Sequence, residues 1–211
     1  MNHTIGTHPA DKELIDRILR GDNLAFGTII KNTERLVAQI VFKMIPVAED
    51  RKDLAQDIYL KVFHNLPGFK FQAKLSTWIA QIAFNTCLSW IEKKKKLLPG
   101  KLHEKEMHPS VNNSSHSIRM PAEPDFHGLP NGSEFESRLF QKELSGILQK
   151  EIENLPATYQ TLIILFHQES MSYEELSQIT RLPEGTIKSS LFRARKMLKE
   201  KLLSKYQKEA L

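Results

Sequence analysis

An all-α fold in two small helical domains is what this 211-residue sequence predicts. Three observations carry that expectation. Apolar residues recur at three- and four-residue spacing through residues 11–96 and again through 135–203, and no stretch of any length alternates with the two-residue period of a strand. Between those runs the composition changes: Pro99, Pro109, Pro121, Pro124 and Pro130 fall in a segment with little apolar periodicity, which reads as a flexible linker. Finally, Ser172 and Glu175 form a capping-box signal that opens a short helix, followed by a tight turn and a longer basic helix. The expected division is a domain over 1–96, a linker over 97–134 and a domain over 135–211.

Taken in order, residues 11–30 read as helix, with Leu14, Ile15, Ile18 and Leu19 on one side and Asp22 as a cap before Ala25, Phe26, Ile29 and Ile30. A second helical run carries Leu36, Val37, Ile40, Val41 and Met44 and ends before Pro46. A third begins near Glu49 or Asp50, turning Leu54, Ile58, Val62 and Phe63 inward and Asp53, Gln56, Asp57 and Lys61 outward. Leu66-Pro67-Gly68 breaks it. Phe69-Lys70-Phe71-Gln72-Ala73-Lys74 then alternates aromatic and basic residues, and Ser76 is the expected cap of a long helix that closes in Lys93-Lys94-Lys95-Lys96. Rings stack on unpaired bases while amines neutralise phosphates, so the loop could serve single-stranded nucleic acid. On their own terms Phe69 and Phe71 read as core residues ahead of base-stacking ones, and the four lysines suit a helix dipole.

As a loose coil the linker, roughly 37 residues, spans about 35 Å on average and up to about 120 Å if stretched. The second domain opens with Phe140, Leu144, Ile147, Leu148 and Ile152 on a helix that Asn154-Leu155-Pro156 punctuates. A helix with Tyr159, Leu162, Ile163 and Phe166 follows. In the last pair, Leu176 and Ile179 make the short helix amphipathic, Thr180, Arg181 and Leu182 form the turn, and Pro183 suits the start of the next helix. Ile187, Leu191, Ala194, Leu198 and Leu202 define a buried stripe opposite Lys188, Ser189, Phe192, Arg193, Lys196 and Lys199. This is the shape of a helix-turn-helix, whose second helix enters the major groove. An ordinary helical hairpin with a solvated basic face has the same outline. Serine and arginine in the N-terminal half of the helix, where base edges would lie, favour DNA.

The bulk numbers bound the class. A net charge of +5 and a pI near 9.2 mildly favour a polyanionic partner. No run approaches 18 apolar residues, and the N-terminus lacks a signal-peptide core, so a cytoplasmic protein is expected. Cys87 is the single cysteine, which excludes an internal disulfide and fits a small packed side chain. His103, His108, His116 and His127 are irregularly spaced and lack cysteine partners, and Asp53 with Asp57 is a lone i, i+4 pair, so no metal site is expected. There is no Gly-rich phosphate loop, His-Glu zinc motif or nucleophile elbow. Neither an enzyme nor a cofactor is expected.

Three stretches resemble one family. Asp53-Leu54-Ala55-Gln56-Asp57-Ile58-Tyr59-Leu60-Lys61-Val62-Phe63 resembles the region 2.2 helix of bacterial sigma factors of the extracytoplasmic-function (ECF) group. The stretch from Phe71 to Thr86, with Ser76-Thr77-Trp78 ahead of Ile82-Ala83-Phe84-Asn85, resembles that group's signature. Leu155-Pro156, then Gly185-Thr186-Ile187-Lys188-Ser189 and Arg193-Ala194-Arg195, resemble its region 4. The resemblance covers roughly residues 11–96 and 135–203, in the family's order.

The resemblance implies roles. Core RNA polymerase would be bound by Asp53, Gln56, Asp57 and Lys61 on the 2.2 helix. The melted −10 element would be read by Phe69, Lys70, Phe71, Lys74 and Asn85; a flipped base wants a stacking surface and an amide for its edge. The −35 duplex would meet Arg181, Gly185, Thr186, Lys188, Ser189, Ser190, Phe192, Arg193 and Lys196, with Arg193 reaching a guanine edge or a phosphate. Partners implied are core polymerase, promoter DNA and an anti-sigma factor. Three departures stand out: Arg51 and Lys52 where acidic residues are frequent, Arg181 where the turn usually has glycine, and Ser190 in place of a frequent arginine. Two other readings compete. A stand-alone dimeric helix-turn-helix regulator leaves the FKFQAKLSTW segment without purpose, and a protein-interaction adaptor leaves the basic face without one.

Overall fold

The computed structural model describes residues 9–97 and 134–209, and the expected linker lies almost wholly outside them, as do His103, His108, His116 and His127. The described residues are helical, without strands. Helix α1 spans Pro9–Leu19, α2 Asn23–Met44, α3 Ala48–Asn65 and α4 Leu75–Leu97. After the undescribed segment come α5 Glu134–Glu153, α6 Ala157–His167, α7 Tyr173–Thr180 and α8 Glu184–Glu209.

The α1–α2 break is local chemistry. Gly21 adopts φ +100°, a conformation open to glycine, and Asp22 then caps α2 by accepting from the Ala25 N–H at 3.1 Å. Arg17 clamps the same carboxylate at 2.6 Å and, with the Ala25 N–H, holds it below its ordinary value. Helix α2 does not divide near residue 32 as the apolar pattern implied. Thr33 turns inward, and its hydroxyl donates to Ile29 O at 2.7 Å and lies 3.1 Å from Tyr59 Oη, so a polar residue continues the core stripe. At the other end, Arg51 donates from Nε to Ile45 O at 2.8 Å and from Nη2 to Pro46 O at 3.2 Å, and stacks over the Phe42 ring at 4.6 Å. The departure at Arg51 thus has a structural role: it satisfies the carbonyls of the cap and turn that lead out of α2.

Leu66–Gly68 closes α3 as a 3-10 turn. The loop after it ends in α4, which starts at Leu75, so Ser76 lies inside the first turn and not at the cap. Ile29, Ile40, Ile58, Ile79, Ala83 and Cys87 converge from α2, α3 and α4 with essentially no exposure. Each such aliphatic chain contributes about 1.5–3 kcal/mol by leaving water. Burial pushes the Cys87 thiol up to about 12, so it is packing material.

In the second half, Leu155, Leu162, Leu165, Leu176, Ile179, Ile187 and Ala194 form the centre, from α6, α7, α8 and the bend before α6. The α7 capping box is complete: Glu175 N–H donates to Ser172 Oγ at 3.1 Å and Ser172 N–H to Glu175 Oε2 at 2.9 Å. Arg181, the residue after α7, sits at φ +60°. A left-handed turn is required there, and arginine takes it without a glycine's freedom. Pro183 stands just ahead of α8, accepting from the Thr186 and Ile187 N–H groups.

Candidate nucleic-acid and polymerase interfaces

Helix α8 presents one open side. Gly185, Lys188, Phe192, Arg193 and Lys196 are exposed, Phe192 by 40% of its surface, while Ile187, Leu191, Ala194 and Leu198 face the core. Thr186 and Ser189 are half-buried, the Ser189 hydroxyl donating to Thr186 O at 3.0 Å. Lys188 pairs with Glu184 at 3.4 Å and lies over the Tyr173 ring at 5.2 Å; both contacts are exposed and yield to a stronger anion. Arg181 is exposed at the turn.

Ser190 departs from the expected DNA face. It is 1% exposed, and its hydroxyl lies buried without a hydrogen-bond partner. The geometry explains why: at about 100° per residue it stands about 140° round the helix from Gly185, on the margin of the apolar stripe. A buried unmatched hydroxyl costs about 1–3 kcal/mol. Ser190→Ala is therefore expected to raise stability by about 1 kcal/mol and the melting temperature by a few degrees. Duplex affinity should be unchanged, and lost discrimination at one base position would place the hydroxyl in the groove after all.

On the back of the same helix, Arg195 Nη2 donates to His167 Nε2 at 3.3 Å, with the guanidinium over the Phe166 ring at 5.3 Å. Burial first and Arg195 second hold the imidazole below its usual value of 6.5. The unfolded chain therefore takes up this proton first as pH falls. The contribution to stability is complete above pH 6.5 and is lost as pH falls through the folded value. Melting between pH 7 and 5 should show a decline that His167→Gln reduces, and Arg195→Ala should raise the ring's titration midpoint by NMR.

The loop ahead of α4 is more structural than expected. Phe69 is buried, its ring 5.0 Å from Trp78 and 4.8 Å from Phe71, so it has no face open to a base. Phe71, at φ +55°, is half-buried and shows the loop's aromatic edge; Lys70 and Lys74 are exposed. Asn85 does not join them. Eleven residues beyond Lys74 on α4, it stands about 16 Å along the axis, so it and Phe71 would meet different nucleotides of one strand. Its Nδ2 donates to Gln81 O at 2.8 Å, and it lines a cavity of about 260 Å³ with Lys61, Asn65, Gln81, Ser89 and Arg181.

On α3, Asp53, Gln56 and Asp57 are exposed together. Lys61 turns away from them, its Nζ donating to Thr86 Oγ1 on α4 at 3.1 Å. Periodicity missed what flanks the acidic residues. Phe63 does not point inward; with Leu60, 56% exposed, it edges an apolar groove of about 630 Å³ shared with Phe26, Ile30 and Tyr59. The sequence signal was present in Leu60 and Phe63, two large apolar residues on the charged side of the helix. Among the described residues no group of three or more potential ligands could hold a metal, and no helix is long and apolar enough to cross a membrane.

Two family models match the chain: Sigma-70 region 2 over residues 29–97 and Sigma-70 region 4 over residues 145–198. The chain belongs to the sigma-70 family, in its ECF group. Over 194 residues it is 26% identical to the ECF RNA polymerase sigma-E factor of Haemophilus influenzae, covering 91% of this chain and 95% of the relative. It is 27% identical over 191 residues to the ECF RNA polymerase sigma factor SigW of Bacillus subtilis, covering 90% and 96%. Among solved structures, CnrH in complex with the cytosolic domain of CnrY matches with a TM-score of 0.57 at 18% identity, over 92% of this chain and 98% of that one. The sigma factor RpoE of Bartonella quintana, in complex with the anti-sigma factor NepR, matches with a TM-score of 0.58 at 20% identity, over 84% and 96%. A sigma factor is a subunit for transcription initiation that works by binding core RNA polymerase, and it is not an enzyme.

Proposed function

We propose that this sigma factor docks on core polymerase through Asp53, Gln56, Asp57 and the adjoining Leu60–Phe63 groove, reads a melted −10 strand with the loop and α4, and reads a −35 duplex with α8. The observation that carries the reading is the open side of α8, where Gly185, Lys188, Phe192, Arg193 and Lys196 stand exposed on a helix whose other side is core. Arg193 is long enough for a guanine edge or a phosphate, Lys188 and Lys196 suit phosphates, and Phe192 suits an apolar base edge. On the strand side, Lys70 and Lys74 supply charge, Phe71 a ring and Asn85 an amide. The protein acts where polymerase is, in the cytoplasm. An anti-sigma partner is part of this reading, since a sigma factor of the same fold is solved with one.

The test mixes the purified protein with bacterial core polymerase and a pool of genomic fragments. Position-specific initiation is expected, with Arg193→Ala weakening the upstream element and Asn85→Ala the downstream one. Specific duplex binding without any association with polymerase would sink the reading in favour of a stand-alone regulator.

A further inference from the structure

The cavity of about 260 Å³ in which Asn85 lies has a one-sided charge. Two cations stand in its wall, Lys61 of α3 and Arg181 of the turn ahead of α8, and no carboxylate does. Lys61 Nζ gives one of its donors to Thr86 Oγ1 at 3.1 Å and keeps the others. Arg181 holds φ +60°, a conformation that strains any residue with a Cβ. Its guanidinium has no hydrogen-bond or ionic partner among the described residues. A strained arginine with a free fork of donors, beside an unpaired lysine, is suited to an anion.

The amides of the wall supply the opposite chemistry. Asn65 Nδ2 donates to Lys61 O at 2.7 Å, Asn85 Nδ2 to Gln81 O at 2.8 Å and Gln81 Nε2 to Gln178 O at 2.6 Å. With each nitrogen turned to a main-chain carbonyl, the amide oxygens are left to accept from a ligand. Ile82 is the aliphatic side chain of the wall and no aromatic ring lines it, so a nucleobase would find nothing to stack on. The volume also falls below the usual range of pockets for larger ligands, about 300–1,000 Å³. A ligand matched to this wall is small, with a doubly charged anion at one end and hydroxyl donors at the other.

We propose that the cavity binds a small sugar phosphate, with its phosphate monoester between Lys61 and Arg181 and its hydroxyls donating to the oxygens of Asn65, Gln81 and Asn85. The sugar-phosphate backbone of a nucleic-acid strand shares this chemistry, but each of its phosphodiesters carries a single charge. A monoester carries close to two at neutral pH, which two cations without a carboxylate match better. Asn85 is also the amide assigned above to the −10 strand, so a bound sugar phosphate withholds it, and promoter use then answers to the ligand's concentration. That consequence rests on the functional reading; the binding does not.

The test titrates the full chain by calorimetry with ribose 5-phosphate, ribose, inorganic phosphate and a short single-stranded oligonucleotide. Ribose 5-phosphate is expected to bind with a Kd of about 100 µM, and inorganic phosphate about tenfold more weakly. Ribose alone should give no signal. Bound ribose 5-phosphate should also raise the melting temperature, since it stabilises the folded chain by mass action. Arg181→Gly relieves the strained turn, so the chain stays folded, and Lys61→Gln keeps a donor for Thr86 while removing the charge. Each should weaken ribose 5-phosphate about tenfold. No binding at millimolar ribose 5-phosphate overturns the proposal. Inorganic phosphate binding as tightly reduces the cavity to a simple anion site, and affinity unchanged in both variants puts the ligand elsewhere; either result overturns it too. So does an oligonucleotide that binds through Lys61 and Arg181 where ribose 5-phosphate does not, which makes the strand's backbone the source. Polymerase takes no part in the titration, so its failure leaves the functional reading standing.

Discussion

Leu60→Asp is expected to weaken binding to core polymerase about a hundredfold while leaving melting temperature and duplex binding unchanged. Leu60 is 56% exposed on α3, so its replacement opens no cavity in the free protein. The same side chain borders the groove in which Phe26 and Phe63 stack edge-on at 5.1 Å. An apolar groove of this kind beside three exposed polar residues has the anatomy of an interface centre and its rim. Truncating a central anchor typically costs about 2 kcal/mol or more, and a carboxylate buried there without a partner adds its own desolvation. Reversing Asp53 and Asp57 to lysine should cost less, and the loss should shrink as salt rises, because rim charges act through solvent and chiefly on the association rate. Titration of labelled polymerase at two salt concentrations separates the two effects. Equal, salt-dependent losses for all three positions would place the acidic residues, and not the groove, at the centre.

The helices were legible because their signals are local. The Ser172–Glu175 capping box, the Asp22 cap and the Leu66-Pro67-Gly68 break each need only a few neighbouring residues, and each stands where the pattern put it. What misled were residues whose side is decided by a distant partner. The gap between Ile30 and Leu36 looked like a boundary, yet Thr33 within it is core, because Tyr59 on α3 meets its hydroxyl. Phe63 looked like core and is exposed, because Phe26 and Tyr59 meet it at the surface. Ser190 looked like a base-reading residue because serine is polar, yet its angular position on α8 places it at the core margin. Lys61 looked like part of the acidic face, until Thr86 of α4 supplied a nearer acceptor. The packing of α7 on α4 was invisible for the same reason: Lys74 and Glu175, which meet at 3.0 Å, are ordinary charged residues about a hundred positions apart, and only the fold pairs them.

Leu176→Ala should cost about 3 kcal/mol and abolish duplex binding without touching a single DNA-facing residue. Leu176 is fully buried at the centre of α7, and removing its outer carbons leaves both lost transfer energy and a cavity, typically 2–5 kcal/mol together. The described core of the second half, from α6, α7, α8 and the end of α5, is continuous with that of the first half, and a folded chain has only a few kcal/mol of net stability to set against such a loss. The turn adds to the demand, since Arg181 holds a left-handed conformation that only intact packing around it maintains. Thermal melting by circular dichroism should therefore show a transition lowered by roughly 10 °C or more. Duplex affinity should fall with the folded fraction and recover where that fraction recovers, at lower temperature or with a stabilising osmolyte. Arg193→Ala, at an exposed position, should do the opposite: full loss of discrimination at one position with the melting curve unmoved. A Leu176→Ala protein that melts like wild type would mean that the neighbouring helices close over the missing side chain, and that the helix-turn-helix core is more plastic than its packing implies.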